Sequence, residues 1–227
     1  MRSKFKMMVV ALAAVCAFGA VGTAVASAAL PEIVNKEGKE LVKKKFTGTV
    51  TGKVILGTSD TGEQFEFCKT GSAAGEIAGL SGGKVTTTFH ACEFGLRGEC
   101  QSAGSKNAGE IVLPMSIKLV YLNRAKKEAA LLYSLPSAGI SMECEGNAAK
   151  LSGAFLVGLG TVNKLSTKYV LTAKGHKWTQ EPSEYENEKG EKVKATPKFW
   201  FVGESEGEAS LQFTEGVVFE EEVEFKV

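Results

Sequence analysis

The chain has 227 residues, of which 44% are apolar and 23% are charged, and its formal net charge is +1 at pH 7. A charge this close to zero, without a clustered field of Lys and Arg, argues against nucleic acid as a partner. The length is sufficient for a full apolar core, in one large domain or two small ones.

The first 28 residues have the pattern of a secretory signal peptide. Arg2, Lys4 and Lys6 precede an apolar run, and small residues up to Ala28 match a cleavage site. A membrane anchor is the alternative, but the run is shorter than the roughly 20 apolar residues that a span needs. We therefore expect an exported protein, secreted or at the cell surface, with no membrane span after cleavage.

From residue 46 onward the sequence has the pattern of β-strands separated by turns, whereas residues 29–45 predict a linker or a loose first strand. Alternation of apolar and polar residues indicates strands with one buried face. In one of these strands, Phe89 and Ala91 share a face, and His90 and Cys92 lie on the other. Strands are predicted over Phe46–Leu56, Gln64–Cys68, Val85–Cys92, Ile111–Leu122, Ala129–Leu135, Ile140–Cys144, Ala154–Gly160, Lys168–Ala173, Lys198–Val202, Ala209–Thr214 and Val217–Val227.

Two neighbouring segments, Ile111–Leu122 and Ala129–Leu135, predict a β-hairpin with a polar turn at Asn123–Lys127. Pro114 cannot donate a ladder hydrogen bond, which predicts a sheet edge or a bulge at that point. A helix over Arg124–Leu135 is the alternative, because Ala, Leu, Lys and Glu favour helices.

The end of the chain continues the same pattern. Residues 175–196 are charged and predict an exposed hairpin or loop that turns near Lys189 and Gly190. Glu221 interrupts an apolar strand face, which predicts a bulge or an open edge. The frequent turns, without a long amphipathic helix, indicate a single all-β domain over residues 46–227, an antiparallel β-sandwich or barrel.

Four cysteines remain after the expected cleavage: Cys68, Cys92, Cys100 and Cys144. An even number in an exported chain predicts two disulfides, with three possible pairings. We favour Cys92–Cys100, which closes a short loop, together with Cys68–Cys144, which joins two strands. A zinc site is disfavoured because the spacings contain no CxxC pair.

No set of residues predicts catalysis, a metal site or a cofactor. His90 has the position of a partly exposed strand histidine, and His176 that of a loop histidine. The acids Glu220–Glu222 fit a solvated strand face better than a catalytic pair. No Gly-x-Ser-x-Gly motif occurs. The sequence therefore predicts a protein that is not an enzyme.

Three aromatic residues are the candidate ligand-binding residues: Trp178, Tyr185 and Trp200. Exposed aromatic rings form platforms in sugar-binding sites, because one side chain offers a large apolar area together with a polar group. For Trp200, however, packing in the core together with Phe199 and Phe201 is the favoured role.

The cysteines lie in four short motifs: Phe67-Cys68, Phe89-His90-Ala91-Cys92, Cys100-Gln101-Ser102-Ala103-Gly104 and Met142-Glu143-Cys144. With Gly160-Thr161-Val162-Asn163-Lys164 and the Tyr185–Ala195 loop, they resemble a group of exported actinobacterial four-cysteine, β-rich proteins. The resemblance covers most of the mature chain and supports export and the disulfide frame. The group has no assigned activity, so the resemblance implies no catalytic or ligand residues.

These observations lead us to expect an exported, non-enzymatic β-domain that binds a carbohydrate or a cell-surface protein, or that has a structural role there. A β-barrel carrier for a small apolar ligand is the alternative. Its cavity would be lined by two runs that are apolar on both faces, Ala129–Leu135 and Ala154–Leu159. A secreted hydrolase is third, and it would need a buried pair of carboxylates or histidines.

Overall fold

In a computed structural model, described for residues 30–59, 64–95, 98–105 and 107–227, the chain forms fifteen β-strands and no α-helix. The expected signal peptide, residues 1–28, lies outside the described residues. The strands are β1 (Glu32–Asn35), β2 (Lys44–Thr58), β3 (Gln64–Ile77), β4 (Gly82–Cys92), β5 (Cys100–Ser102), β6 (Ile111–Asn123), β7 (Glu128–Ser134), β8 (Ile140–Cys144), β9 (Asn147–Leu159), β10 (Ser166–His176), β11 (Thr179–Glu181), β12 (Glu184–Glu186), β13 (Lys192–Lys194), β14 (Pro197–Phe201) and β15 (Gly207–Lys226).

Eight strands close into an antiparallel barrel in the order β10–β15–β2–β3–β4–β6–β7–β9, and pairing of β9 with β10 completes the circle. The all-β prediction is confirmed, and of its two architectures the structure has the barrel. A smaller extension is built on β9, which pairs with β8 and β14, and β5 pairs with β8. Of the remaining short strands, β1 pairs with β15, β11 with β10 and β12 with β6, and β13 pairs with β12.

The period of two along each barrel strand separates a core face from a solvent face. In β2, Phe46 and Val50 point inward and are buried, whereas Thr47 and Thr49 between them are exposed. An eight-stranded barrel has an interior just wide enough for side chains to fill. Large buried rings occupy it, and their centroids lie close together, as in Phe89–Phe213 at 5.7 Å. The described interior is therefore a packed core.

The segment for which the sequence left a linker or a loose first strand open contains β1. This strand pairs with β15 from Glu32↔Lys226 to Asn35↔Val223. Ile33 is 0% exposed, so the segment is packed on the barrel by its apolar side chains.

The predicted hairpin is confirmed by β6 and β7, which pair around a turn after Asn123, so the helix over Arg124–Leu135 is wrong. The expected edge at Pro114 is also present. Here β6 pairs with β4 through Pro114↔Thr86, whereas its pairing with β7 begins only at Ser116. The expected irregularity at Glu221 is a bulge, because the partners on β10 shift from Lys168↔Val218 to Ser166↔Val223.

Several predicted strands were too short. The predicted strand Gln64–Cys68 continues to Ile77, and the one predicted from Ala154 begins at Asn147. The two strands predicted on either side of Glu215-Gly216 are one continuous strand, β15. The short strands β1, β5, β11, β12 and β13 were not predicted individually, because pairing partners rather than local periodicity define them.

The favoured cysteine pairing is wrong: the disulfides are Cys68–Cys92 and Cys100–Cys144. In each case the two cysteines lie directly opposite one another on paired strands, Cys68 and Cys92 on β3 and β4, Cys100 and Cys144 on β5 and β8. Each disulfide therefore joins neighbouring strands of one sheet, and the register of those strands determines the pairing.

The predicted assignment of side chains to the two faces of β4 is also wrong at the end of the strand. Ala91 was expected to share the inward face with Phe89, but Ala91 is exposed and Cys92 is 0% exposed. Ala91 has a φ of 50°, in the left-handed region that non-glycine residues seldom adopt. This residue reverses the alternation and turns Cys92 into the core, opposite Cys68.

Replacing both cysteines of one disulfide with alanine is expected to lower the free energy of unfolding by about 3 to 4 kcal/mol, by the chain-entropy model. The paired cysteines are 24 residues apart in Cys68–Cys92 and 44 apart in Cys100–Cys144. Urea denaturation of each double variant measures the cost. Peptide mapping of the non-reduced protein is the control, and a Cys92–Cys100 peptide would contradict the pairing.

Candidate functional site

A second, smaller core lies on the outside of the barrel, beneath the hairpin of β12 and β13. Outward side chains of three neighbouring barrel strands form its base: Val120 on β6, Leu132 on β7 and Leu156 on β9. Ala195, which follows β13, is 1% exposed, and Tyr185 on β12 packs against the same cluster. Strands β7 and β9 are thus apolar on both faces because one face lines the barrel interior and the other lies under the hairpin.

The hairpin corresponds to the charged segment that was expected to turn near Lys189 and Gly190. Strands β12 and β13 pair from Glu184↔Lys194 to Glu186↔Lys192. The amide of Gly190 donates to the carbonyl of Asn187 at 2.9 Å and closes the turn, so the predicted hairpin is confirmed.

Polar contacts bind the hairpin to β6 and to the turn that follows it. Arg124 Nη2 donates to the carbonyl of Asn187 at 3.0 Å, and Lys192 Nζ donates to the carbonyl of Leu122 at 2.7 Å. Lys118 Nζ lies 2.9 Å from Glu188 Oε1, and this hydrogen bond lowers the pKa of Glu188. The Lys118–Glu188 pair is exposed, so solvent screens the attraction and the pair contributes little to stability. The hairpin is therefore held by the apolar contacts beneath it and by the less exposed polar contacts of Arg124, Lys192 and Glu186, rather than by the Lys118–Glu188 pair.

A half-open pocket of about 280 Å³ lies beside this hairpin. We call it the hairpin groove. Its walls are the start of the described chain at Leu30 and Pro31, strand β6 from Lys118 to Tyr121, and the hairpin from Tyr185 to Lys189. A volume near 300 Å³ is at the lower end of the range for ligand sites, which combine apolar walls with a few polar groups.

A second depression of about 310 Å³ continues the hairpin groove, because Leu30 and Tyr121 line both. Its other side carries Arg124 and Lys127. The guanidinium carbon of Arg124 lies 5.5 Å from the centroid of the Tyr121 ring, a cation–π arrangement. The combined surface has an apolar centre at Leu30 and the two tyrosines, with charged groups around it.

The three predicted ligand-binding residues do not converge on one site. Tyr185 lines the hairpin groove. Trp178 lies in the turn between β10 and β11 and lines a separate pocket of about 70 Å³. Trp200 lies on the outer face of β14, where Lys150 Nζ is 5.9 Å from its ring centroid. The favoured role in the core is wrong for Trp200, which is partly exposed, but it is confirmed for Phe199 and Phe201, which are 1% and 6% exposed.

Other candidate groups occupy ordinary positions. His90 Nδ1 lies 3.7 Å from Glu110 Oε2, and the histidine side chain is 45% exposed. Glu220 and Glu222 are exposed on β15. Across the described ranges, no three His, Cys, Asp or Glu side chains form a group that would hold a metal ion. Nor do these ranges contain a helix long and apolar enough to cross a membrane.

A buried carboxyl was not predicted from the sequence. Glu215 is 0% exposed on the inward face of β15, and desolvation raises the pKa of its carboxyl to about 7. The hydroxyl of Tyr133 is also buried in the barrel, and its pKa is raised well above 10.0, first by desolvation and then by the charge of Glu215. The sequence signal for Glu215 was a single acid between two apolar stretches.

Comparison of the chain with protein family models, with curated proteins and with solved structures finds no match. The function is therefore inferred from the geometry of the molecule.

Replacing Leu156 with alanine is expected to free the hairpin, because Leu156 is 0% exposed in the small outer core. A Leu→Ala change at a buried site costs about 2 to 5 kcal/mol. Trypsin cleavage at Lys189, Lys192 and Lys194, followed by mass spectrometry, measures how often the hairpin detaches. The control is Lys118→Ala, which removes only the exposed ion pair. Equal acceleration of cleavage in both variants would contradict the apolar attachment.

Proposed function

We propose that the protein is an exported, non-enzymatic binding domain that takes a carbohydrate at the hairpin groove. The observation that carries this proposal is the position of Tyr185, a partly exposed ring on the wall of a groove with an apolar centre and a charged rim. Such a combination suits a sugar ring, which presents an apolar face to an aromatic side chain and hydroxyl groups to the polar rim.

Export is supported by the two disulfides, which form and persist in oxidising compartments. Both disulfides lie within the folded core, where all four cysteines are 0% exposed. A protein that binds its partner outside the cell benefits from such cross-links, because they restrict the unfolded chain.

The two alternatives receive less support. A carrier would need space inside the barrel, but large rings such as Phe155 and Tyr133, both 0% exposed, occupy the described interior. The two-faced apolar runs on β7 and β9 are accounted for by the small outer core instead. A hydrolase would need a pair of buried acids, and among the described residues Glu215 is the one fully buried acid.

Tyr185→Ala is expected to weaken binding to a glycan by at least about tenfold, or about 1.4 kcal/mol, because the alanine removes the ring from the groove wall. A glycan panel with the mature, oxidised protein identifies the ligand, and calorimetry measures affinity. Trp178→Ala and Trp200→Ala are matched controls, since both lose a partly exposed ring outside the groove.

The controls are expected to bind as the unchanged protein does. A loss of affinity at Trp178 or Trp200, with Tyr185→Ala unaffected, would move the site away from the groove. A blank glycan panel would contradict a carbohydrate ligand. A cell-surface protein captured through the groove would contradict it as well.

The exported protein is expected to begin at Ala29, one residue before the groove wall at Leu30. Expressing the full chain and sequencing the N-terminus of the protein recovered outside the cell tests this. A chain retained in the cytoplasm with Met1 intact would contradict export.

A further inference from the structure

The carboxyl of Glu215 lies inside the barrel. The side chain is 0% exposed, on the inward face of β15 between Phe213 and Val217. Neither carboxyl oxygen has a hydrogen-bond partner among the described residues. Buried polar groups are nearly always hydrogen-bonded, and a buried charge is costly unless it is paired. The buried Thr87 and Tyr133 hydroxyls also lack a hydrogen-bond partner among the described residues, so packing alone does not explain the polar groups in this part of the barrel.

The neighbouring wall of the barrel leaves room for this carboxyl. A Cβ atom added to Gly48 on β2 would clash with Glu215 Oε1 and would lie 3.1 Å from the Cβ of Ala73 on β3. Two small residues on adjacent strands thus provide the volume that the acid fills. A larger residue at position 48 would displace the carboxyl or the strand.

Among the described residues, no positive charge faces Glu215 from the strands around it. Its ladder partners are Val50 on β2 and Leu171 on β10, both apolar. Tyr133 on β7 is a titratable group whose charge couples to Glu215, and its hydroxyl has no hydrogen-bond partner among the described residues. On β10, the hydroxyl of Tyr169 has one proton to donate, and the backbone carbonyl oxygens of Lys164 and Val223 each lie 2.7 Å from it. From β3 and β4, the inward residues at this level are Ala73 and Thr87. The surroundings therefore favour the neutral carboxyl.

The barrel wall is irregular next to Glu215. Between Gln212↔Ile55 and Thr214↔Thr51, the ladder of β15 and β2 shifts register, so that four steps along β2 face two along β15. The pairing of β2 with β3 shifts over the same residues, and Gly52 there has a φ of 77°. Bulges disrupt the regular ladder hydrogen bonds, so this seam is the easiest part of the wall to open near the acid.

We propose that Glu215 is a proton-controlled switch of the barrel: the neutral carboxyl keeps β15 packed on β2, and its ionisation opens the bulged seam at residues 51–55. The closed barrel excludes water, and the opening lets water reach the carboxylate. This inference does not depend on the proposed carbohydrate site, since the seam and the hairpin groove are formed by different residues.

The direction of the pH dependence follows from proton binding. Burial raises the pKa of Glu215 from 4.5 to about 7, so the folded barrel holds this proton more tightly than the unfolded chain. The stabilisation is fully present below pH 4.5 and is lost as pH rises to about 7. For one proton, the equilibrium constant for folding falls by up to about tenfold per pH unit in that interval.

The experiment compares Glu215→Gln with the unchanged protein between pH 4.5 and pH 8. Urea midpoints report the stability, and amide hydrogen exchange of residues 50–55 reports the seam. Comparing the proteins at each pH removes the intrinsic pH dependence of exchange. Glu208→Gln is the matched control, because Glu208 is exposed on the same strand.

In the unchanged protein and in Glu208→Gln, the stabilisation by this bound proton is expected to disappear by about pH 7. Amide hydrogen exchange at residues 50–55 is expected to become faster over the same interval. Glu215→Gln is expected to lack this pH-dependent part of the stability and to keep the seam closed at pH 8. The same pH response in Glu215→Gln would overturn the proposal. Should that variant fail to fold, NMR titration of the Glu215 carboxyl in the unchanged protein decides. A midpoint near 4.5 would also overturn it, whereas one near 7 with faster seam exchange supports it.

Discussion

The barrel depends on the short ladder of hydrogen bonds between β9 and β10, which closes it. Three ladder pairs centred on Thr172↔Gly158 join the strands. Without them, both strands would present unpaired backbone groups at an open edge. Gly160 permits close approach of the two strands at the end of this ladder, because an added Cβ there would lie 3.0 Å from the carbonyl oxygen of Val170. The other half of β9 pairs with β8 and β14, so this strand also carries the extension that holds the second disulfide.

How far the sequence predicts this fold depends on whether a feature is local. The β6–β7 hairpin was predictable because alternation and a polar turn occur in one continuous stretch. The inward turn of Cys92 was not, because it requires the left-handed backbone at Ala91, and alanine carries no signal for that conformation. The disulfide pairing depends on strand register, which only the partners of each strand determine. The wrong pairing thus follows from treating loop length as the criterion.

The candidate site shows the same division. A tyrosine in a charged loop was a reasonable candidate, and Tyr185 does line the groove. The opposite wall is formed by Leu30 and by β6, which are distant in sequence, so the groove itself was not predictable. The sequence assigns the apolar runs on β7 and β9 to a ligand cavity, but an apolar layer outside the barrel has the same pattern. Only the hairpin packed over them distinguishes the two, because it buries their outward side chains in the small outer core.

Glu215 is the point where local pattern and global fold disagree most. An acid followed by Gly216 divided the sequence into two predicted strands, yet β15 passes through both residues without a break. The acid occupies an inward position at which the period of two calls for an apolar residue. Sequences usually agree with their fold at every level, and exceptions are expected at functional or strained positions. The small residues Gly48 and Ala73 make the exception structurally possible, because they accommodate the carboxyl on the neighbouring strands. The disagreement therefore indicates that Glu215 has a role beyond packing. The role that we propose makes the stability of the barrel depend on the protonation of this carboxyl.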